Sequence, residues 1–335
     1  MNDRRWSVEA QTLLGPVAVV LLTAWASTWF GQGVQLKFHD AFVMTAMVVA
    51  VYVFTGNSGV ISFGHASFVA VGAFAAGMFS LPLLQKRSVF KSLFPLLRDH
   101  HLGNAWTLVL GTVLGAIVAF VAGIPVVRLS GLAAGIATFA VLGITRNVLR
   151  NWNRIGPGAK AIPSVEETTG LAQAAWSLIA CITVAWLYQR SRSGRRLRAT
   201  REDPPAARSI GIRIYRERLV AFTLSGALSG FAGAVYVHLL GSVNTDQVYL
   251  GLTFLVLAML VVGGMHSLWG AVLGGLVVSL VNTVLVEGEN GVSWFGWDLT
   301  FPSSTSNIVL ATLMVVTLLV RPAGLTAGRE FRLFP

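Results

Sequence analysis

Apolar runs of membrane-spanning length alternate with short polar segments along almost the whole chain. A spanning helix needs roughly 20 mostly apolar residues. The pattern therefore predicts an all-α integral membrane protein, a polytopic helical bundle of about ten spans (eight to ten) that forms a single transmembrane domain, residues 1–335. The predicted spans are Leu13–Gly31, Ala41–Thr55, Val60–Leu81, Thr107–Val127, Leu132–Leu149, Leu171–Gln189, Leu219–Leu240, Leu252–Gly264, Trp269–Val286 and Asn307–Val320.

Three of these runs are unusual. Ala41–Thr55 and Leu252–Gly264 are short, so we expect either one to be a partial crossing. The first run follows Arg4 and Arg5 and resembles a signal peptide. It lacks a small-residue cleavage site, and we interpret it as a retained anchor.

Composition supports the membrane assignment. The chain is 54% hydrophobic and 12% charged, with a mean hydropathy of +0.69, whereas soluble proteins have about 25% charged residues. Small residues four apart, such as Gly111 and Gly115, predict close helix packing. The single cysteine, Cys181, excludes an intrachain disulfide and a cysteine-based metal site, and its apolar surroundings predict a packing role.

The distribution of lysine and arginine predicts that both termini are cytoplasmic. With the N-terminus inside, about two thirds of the 25 basic residues fall in inner segments, as the positive-inside rule requires. Lys91 is counted among the outer basic residues, and Arg329 and Arg332 are counted among the inner ones. Because the basic residues flank apolar runs, the net charge of +11 indicates membrane topology and not nucleic-acid binding.

A polar, flexible segment stands where a continuous apolar helix is expected. Gly56–Gly77 reads GNSGVISFGHASFVAVGAFAAG, and irregular backbone at membrane depth is tolerated only inside protein or beside a wet cavity. A second glycine- and serine-rich interruption occurs at Gly263–Ser267. Paired interruptions are typical of transporter binding sites, although two unrelated glycine-rich helices would give the same pattern.

These residue types predict a substrate pathway. Backbone N–H groups near Ile61–Gly64, where the helix resumes, would bind a substrate carboxylate. His65 has two interpretations: it lines the pathway or switches with pH, or it forms a structural hydrogen bond to a neighbouring helix. The predicted pathway residues are Asn57, Ser58, Ser62, Gly64, His65 and Ser67.

The segment 190–218 is the longest predicted cytoplasmic loop and reads RSRSGRRLRATREDPPAARSIGIRIYRER. Asp203 as N-cap, Pro204 at the first helical position and Gly211 as terminator predict a helix at Pro204–Ile210. Two turns are unstable alone in water, so this helix favours docking into a partner. The alternative is a basic loop held by anionic lipid.

Four blocks, in order, resemble the permease subunits of the branched-chain amino acid family of ABC importers. The resemblance extends from about Ala41 to Leu325. The blocks are GNSGVISFGHASFVAVGAFAAG, RLSGLAAGIATFAVLGITRNVLRNWNRIGPG, REDPPAARSIGIRIYRERLVAFTLSGALSGFAGAVY, and VVGGMHSLWGAVLGGLVV followed by RPAGL.

The resemblance implies inward transport of a small polar solute, driven by ATP hydrolysis on separate subunits. A branched-chain or related amino acid is the expected solute, with urea, short amides or aromatic acids as alternatives. It further implies a multi-pass protein of the bacterial inner membrane that works with two ATP-binding subunits, a second homologous permease subunit and a soluble substrate-binding protein, and that needs no cofactor. The implied contacts with the ATPase are Glu202, Asp203, Ala206, Ala207 and Gly211.

The chain departs from the family pattern at several positions, which bear on the substrate and the partner more than on the fold. It has no aromatic near Leu132–Ala133, and its outer loop reads IGPGAKAI where a Thr-Gly-Gly run is common. Pro204 and Pro205 replace less rigid residues, and Gly251 replaces a frequent serine.

Other function classes fit the sequence less well. The chain has no G-x-x-x-x-G-K-[ST] run, so we expect it not to hydrolyse ATP. An intramembrane hydrolase would use Ser62 and His65, which are three residues apart, but no G-x-S-x-G motif is present. An ion-coupled carrier would need an acidic residue within a span, and we predict none. Adjacent His100 and His101 are typical of a solvated loop, and we predict no metal site.

Overall fold

The computed structural model describes residues 2–90, 93–158, 160–294, 297–299 and 301–327, so Lys91, Arg329 and Arg332 of the charge distribution lie outside the described residues. Fourteen helices and one short hairpin form the described parts. They are α1 (Asn2–Ser27), α2 (Gln32–Ser58), α3 (His65–Ser80), α4 (Leu83–Val89), α5 (Pro95–Arg98), α6 (Asn104–Val126), α7 (Gly131–Asn151), α8 (Leu171–Arg190), α9 (Arg192–Glu202), α10 (Pro204–Ser209), α11 (Ile214–Leu240), α12 (Leu250–Gly263), α13 (Leu268–Glu289) and α14 (Thr305–Val320), with β1 (Val292–Trp294) and β2 (Trp297–Leu299) between α13 and α14.

Every predicted span coincides with an apolar helix. Six of the described helices, α2, α6, α7, α8, α11 and α13, are long and apolar enough to cross a membrane. The other four predicted spans coincide with shorter apolar helices in α1, α3, α12 and α14. Six spans are therefore identified by length and composition, and the count of ten with cytoplasmic termini stays a prediction.

The predicted spans Ala41–Thr55 and Leu219–Leu240 fall inside helices that begin at least five residues earlier. The run Ala41–Thr55 is the centre of the 27-residue helix α2, so its interpretation as a partial crossing was wrong. Helix α11 begins at Ile214 and not at Leu219. Asp40 lies in α2 before its buried stretch, and Glu217 lies in the first turn of α11. The expectation that no acidic residue falls within a span stays a prediction.

The α2 helix lies at the centre of the bundle. All residues from 41 to 58 are buried, and α2 packs against α8, α11 and α13. A helix that is apolar on every face is expected to be surrounded by other elements.

Glycines allow α3, α6 and α11 to cross at backbone contact. A Cβ placed on Gly72 would lie 2.0 Å from the carbonyl oxygen of Gly230, and one on Gly115 would lie 2.6 Å from the carbonyl oxygen of Gly226. Hydrogen atoms are the only substituents that fit there. The packing predicted from the small-residue rows is confirmed at this crossing.

A small hairpin qualifies the all-helical prediction. Strand β1 pairs antiparallel with β2, with Val292 opposite Leu299 and Trp294 opposite Trp297. An isolated bridge also joins Ile162 to Val243. These short pairings connect segments between helices and leave the helical architecture unchanged.

A buried lysine holds the α4–α5 segment against the end of α3. Lys86 Nζ donates to the carbonyl of His100 at 2.6 Å and to that of Phe79, in the last turn of α3, at 3.4 Å. The lysine side chain is fully buried. Its charge also interacts favourably with the negative end of the α3 dipole.

We expect the heat stability of the protein to rise with pH through the titration of Lys86. Burial lowers the pKa of Lys86 to about 8, and an unfolded lysine titrates near about 10.4. Between these values the unfolded state binds more protons, so stability increases with pH. Thermal unfolding in detergent at about pH 7.5 and about pH 10 measures the effect. Lys86→Met should flatten the rise, and Lys160→Met, at an exposed position, should retain it. Equal slopes for both variants would contradict the assignment.

Candidate functional site

The first interruption of the helices begins at Gly59 and not at Gly56. Helix α2 continues through Ser58, and Gly59 ends it in the left-handed conformation (φ +71°), with its N–H donating to the Thr55 carbonyl at 3.0 Å. This is the usual glycine termination of a helix. We call residues 59–64 the first break; α3 starts directly after it at His65.

Side chains already satisfy much of the backbone in the first break. The N–H of Val60 donates to Ser58 Oγ at 3.2 Å, and the N–H of Gly64 donates to Ser62 Oγ at 3.4 Å. The N–H of Phe63 donates to Thr138 Oγ1 of α7 at 3.1 Å. A carboxylate at this position would have to displace these bonds, so the predicted anion site is occupied by the protein's own hydroxyls in this conformation.

His65 lies in an aromatic box. Its ring centroid is 5.4 to 5.9 Å from those of Phe54, Phe68 and Phe222. Nδ1 is 2.8 Å from Ser62 Oγ, and Nε2 is buried with no hydrogen-bond partner among the described residues. Buried polar atoms are normally paired. Nε2 is therefore an unused hydrogen-bonding position at the N-terminal end of α3.

Ser62 and His65 border a small cavity between α2, α3 and α12. Its volume is about 10 Å³, which is about the space that one water molecule needs. Thr253 of α12, which was not among the predicted pathway residues, is the third polar residue in its wall. The remaining lining is apolar and consists of Met47, Val51, Ala66, Val69, Leu252, Val256 and Leu257. An amino-acid-sized solute does not fit, so this conformation is closed at the cavity.

The other predicted pathway residues do not line this cavity. Asn57 Nδ2 donates to the Val53 carbonyl at 3.0 Å, and its Oδ1 is buried without a partner among the described residues. Ser67 is fully buried and its Oγ is likewise unpaired. A Cβ on Gly64 would lie 2.7 Å from the Thr138 carbonyl oxygen, so Gly64 has a packing role against α7.

The predicted short helix after the arginine-rich stretch is present with its predicted cap. Asp203 Oδ1 accepts from the N–H of Ala206 at 3.0 Å, and Gly211 adopts φ +81°. The helix ends at Ser209, one residue before the predicted end. The segment 190–218 contains more helix than predicted. Helix α9 occupies its first part, and the start of α11 occupies its last part.

The residues predicted to contact a partner differ in how far their side chains are exposed to solvent. Glu202, Asp203, Ala206 and Gly211 are exposed, but Ala207 is only 3% exposed and faces its own chain. Ala207 is therefore not a surface contact. Ile210, which the sequence analysis did not select, is 74% exposed. It lies directly after the last residue of α10, where it offers an exposed apolar side chain to a partner.

Arg201, at the end of α9, contacts the end of α2. Its Nη1 donates to the Gly56 carbonyl at 2.7 Å, and Nε and Nη2 donate to Glu202 Oε1 at 2.9 and 2.5 Å. These hydrogen bonds and the positive charge lower the pKa of Glu202. The first break therefore lies at the same end of the bundle as α9 and α10.

The second interruption meets the last turn of α2, directly before the first break. We call residues 264–267 the second break. It begins with Gly264 at φ +119°, and a Cβ on Gly56 would lie 2.6 Å from the Met265 carbonyl oxygen. The RPAGL segment folds over the end of α12 and the start of the second break. The N–H of Leu325 donates to the Val262 carbonyl at 2.9 Å, and a Cβ on Gly264 would lie 3.0 Å from the Ala323 carbonyl oxygen. The two glycine-rich segments thus form one contiguous region.

The Ser62–His65 hydrogen bond alone does not make a hydrolase site. A serine nucleophile needs a base that is itself oriented by a third group. Among the described residues, no group bonds His65 Nε2, and Ser62 Oγ already accepts from the backbone. The cavity also has no room for a peptide or ester. The geometry favours a polar wall over a catalytic pair.

The bundle of long apolar helices with interrupted segments places the chain among multi-spanning membrane proteins. Residues 38–318 match the family described as branched-chain amino acid transport system, permease component. The chain belongs to this family, which confirms the resemblance found in its sequence blocks.

Individual relatives are permease subunits of import systems. The chain is 27% identical over 308 residues to the high-affinity branched-chain amino acid transport system permease protein LivM of Escherichia coli, covering 82% of this chain and 65% of LivM. It is 28% identical to LivM of Salmonella typhimurium with the same coverage. It is 32% identical over 186 residues to the autoinducer 2 import system permease protein LsrC of Klebsiella pneumoniae, covering 52% of this chain and 53% of LsrC.

The chain therefore spans about two thirds of the length of the LivM proteins that it matches. No solved structure gives a significant match. The relatives belong to transport systems with different named substrates, so family membership identifies a transport permease and not its solute.

Proposed function

We propose that the chain is the membrane-spanning permease subunit of an ABC importer that moves a small polar solute into the cell. In this proposal ten helices cross the bacterial inner membrane with both termini in the cytoplasm. Two separate subunits hydrolyse ATP, a second homologous permease completes the pathway, and a soluble binding protein delivers the solute. Family membership supports the transport role, and the arginine-rich α9–α10 segment supports the orientation.

The exposed α10 helix is the observation that carries the coupling part of the proposal. It is only six residues long, and helices of this length are unstable unless they are held by tertiary contacts. Here both of its ends are fixed within the chain, by the Asp203 cap and by the N–H of Ile212 donating to the Ala207 carbonyl at 3.1 Å. A rigid, exposed helix that presents Ile210 is suited to insertion into a groove on an ATPase subunit.

Replacing Ile210 by aspartate should abolish ATP-driven uptake while the permease still inserts into the membrane. The side chain is 74% exposed, so the change costs the isolated fold little, whereas a buried interface charge without a partner costs several kcal/mol of binding. Uptake in proteoliposomes and co-purification of the ATPase subunit measure the effect.

Ala199→Asp is the matched control. It introduces the same charge at an exposed position on α9 and should preserve uptake and co-purification. Normal uptake by the Ile210→Asp protein would refute the role of α10 in coupling, and membrane insertion of both variants would show that folding is not responsible.

We further propose a branched-chain or related amino acid as the default solute. The match to the LivM proteins over most of the chain supports it, and hydroxyl groups at Ser62 and Thr253 would hydrogen-bond a polar solute in an open conformation without a fixed charge. A thermal-shift screen of the cognate binding protein tests this choice. Leucine, isoleucine and valine should raise its melting temperature; a response only to urea, short amides, aromatic acids or autoinducer 2 would replace the default.

A further inference from the structure

Arg201 links two segments that the sequence keeps far apart, α9 and the end of α2. It belongs to the last turn of α9, it donates to the Gly56 carbonyl of α2, and it is paired with Glu202. A Cβ on Gly59 would lie 2.7 Å from Arg201 Cγ. The arginine stem therefore lies directly against the first residue of the first break, and its guanidinium group holds the last turn of α2.

The contact is electrostatically well matched. The last carbonyl groups of a helix have no partners within the helix and carry its negative dipole end. A guanidinium group supplies several donors in a fixed plane. Arg201 uses this geometry to bond α2 and Glu202 at once, and its side chain is only 23% exposed. The contact is therefore a shielded one, less weakened by solvent than an ion pair on an open surface.

The second break also lies within range of the positive charge of Arg201. Burial and, after it, the positive charge of Arg201 lower the pKa of His266. His266 lies directly after Met265, whose carbonyl approaches Gly56. Arg201 consequently stands where α9, the first break and the second break converge.

The first break forms part of the cavity wall. It contains Ser62 and leads directly into His65 at the start of α3, and both residues line the cavity. On its other side Arg201 precedes Asp203, the cap of α10, by only two residues. A displacement of α10 would thus move Arg201, and Arg201 would move the first break, which forms part of the cavity wall.

We propose that Arg201 is the positioning residue that transmits movement of α10 to the first break and so opens the cavity at Ser62 and His65. This inference rests on the proposed function, since it needs α10 to be moved by an ATPase. Without the guanidinium contact, α10 still docks, but its movement no longer displaces the first break. ATP hydrolysis then continues without transport.

Arg198 offers a matched comparison on the same helix. It lies almost one turn earlier, is partly buried, and also donates to a carbonyl at the end of an apolar helix, that of Gln189 in α8, at 2.8 Å. Its contact has the same chemistry but does not involve either break. A purely structural need for cations at helix ends would make the two arginines equivalent.

The test uses the complete transporter, with ATPase subunits and binding protein, in proteoliposomes, where solute uptake and ATP hydrolysis are measured together. Arg201→Gln should lower uptake at least about tenfold, as expected for loss of a charge-assisted hydrogen bond, while hydrolysis stays within about twofold of the wild type. Arg201→Lys, which keeps the charge and one of the bonds, should recover part of the uptake. Arg198→Gln should leave the ratio of ATP hydrolysed to solute moved unchanged.

Each outcome bears on the inference. Unchanged uptake in Arg201→Gln, a parallel loss of uptake and hydrolysis, or the same ratio change in Arg198→Gln would overturn it. The Ile210→Asp variant in the same preparation tests the proposed function separately: if that variant transports normally, the coupling role of α10 fails whatever the result for Arg201.

Discussion

Replacing Gly230 by valine is expected to prevent the protein from forming its native bundle. A Cβ at this position would lie 2.3 Å from the Gly111 carbonyl oxygen and 2.9 Å from the Gly115 Cα. These are backbone atoms of α6, which cannot rotate away as a side chain can. The helices would have to separate, and α11 would lose its close packing with both α6 and α3. Overpacking of a well-packed interior costs about 1–3 kcal/mol or more, and a clash with backbone belongs at the upper end.

The yield of monodisperse protein after detergent extraction measures this effect. Gly143→Val in α7 is the matched control, because a Cβ there meets nothing within 4 Å. The control should insert, extract and run as the wild type does. Wild-type yield and melting temperature for Gly230→Val would show that α6 and α11 do not cross at backbone contact.

Features that depend on local chemistry were predictable from the sequence. Hydropathy located the long apolar helices of the described residues, because the burial of twenty consecutive apolar residues leaves few alternatives. The cap of α10 was also predictable, since Asp203, Pro204 and Gly211 act through bonds within a few residues of each other. Family membership followed from blocks in a fixed order.

Features that depend on tertiary contacts were missed or misplaced. The first break was placed at Gly56, but α2 continues for three residues because its end is supported by Arg201 and covered by the second break. Ala207 and Ile210 are three residues apart, so composition alone does not reveal which of them faces the chain. Thr253 was overlooked because its hydroxyl bonds the Tyr249 carbonyl, the common role of a threonine in an apolar helix.

The closed cavity leads to the second large expected effect, a state-dependent reaction of a cysteine at position 62. Ser62 is only 1% exposed in this conformation, and the cavity beside it has a volume of about 10 Å³. A charged thiol reagent therefore cannot reach a cysteine there at rest. If Ser62 lines the pathway, ATP-driven turnover must open this wall to admit the solute, and labelling should rise several-fold. The single native cysteine, Cys181, is fully buried and should contribute no background.

Ile61→Cys is the control for reagent access, because Ile61 is 42% exposed on the same break. In inside-out vesicles this cysteine should react with and without ATP, which would also place the first break at the cytoplasmic surface. If the Ser62→Cys protein stays unreactive during measured uptake while the Ile61→Cys protein reacts, the Ser62–His65 pair is a packing element and the solute passes elsewhere. If the Ser62→Cys protein reacts only during turnover and Arg201→Gln suppresses that reaction without stopping hydrolysis, then the contact between α9 and the first break is what converts hydrolysis into opening.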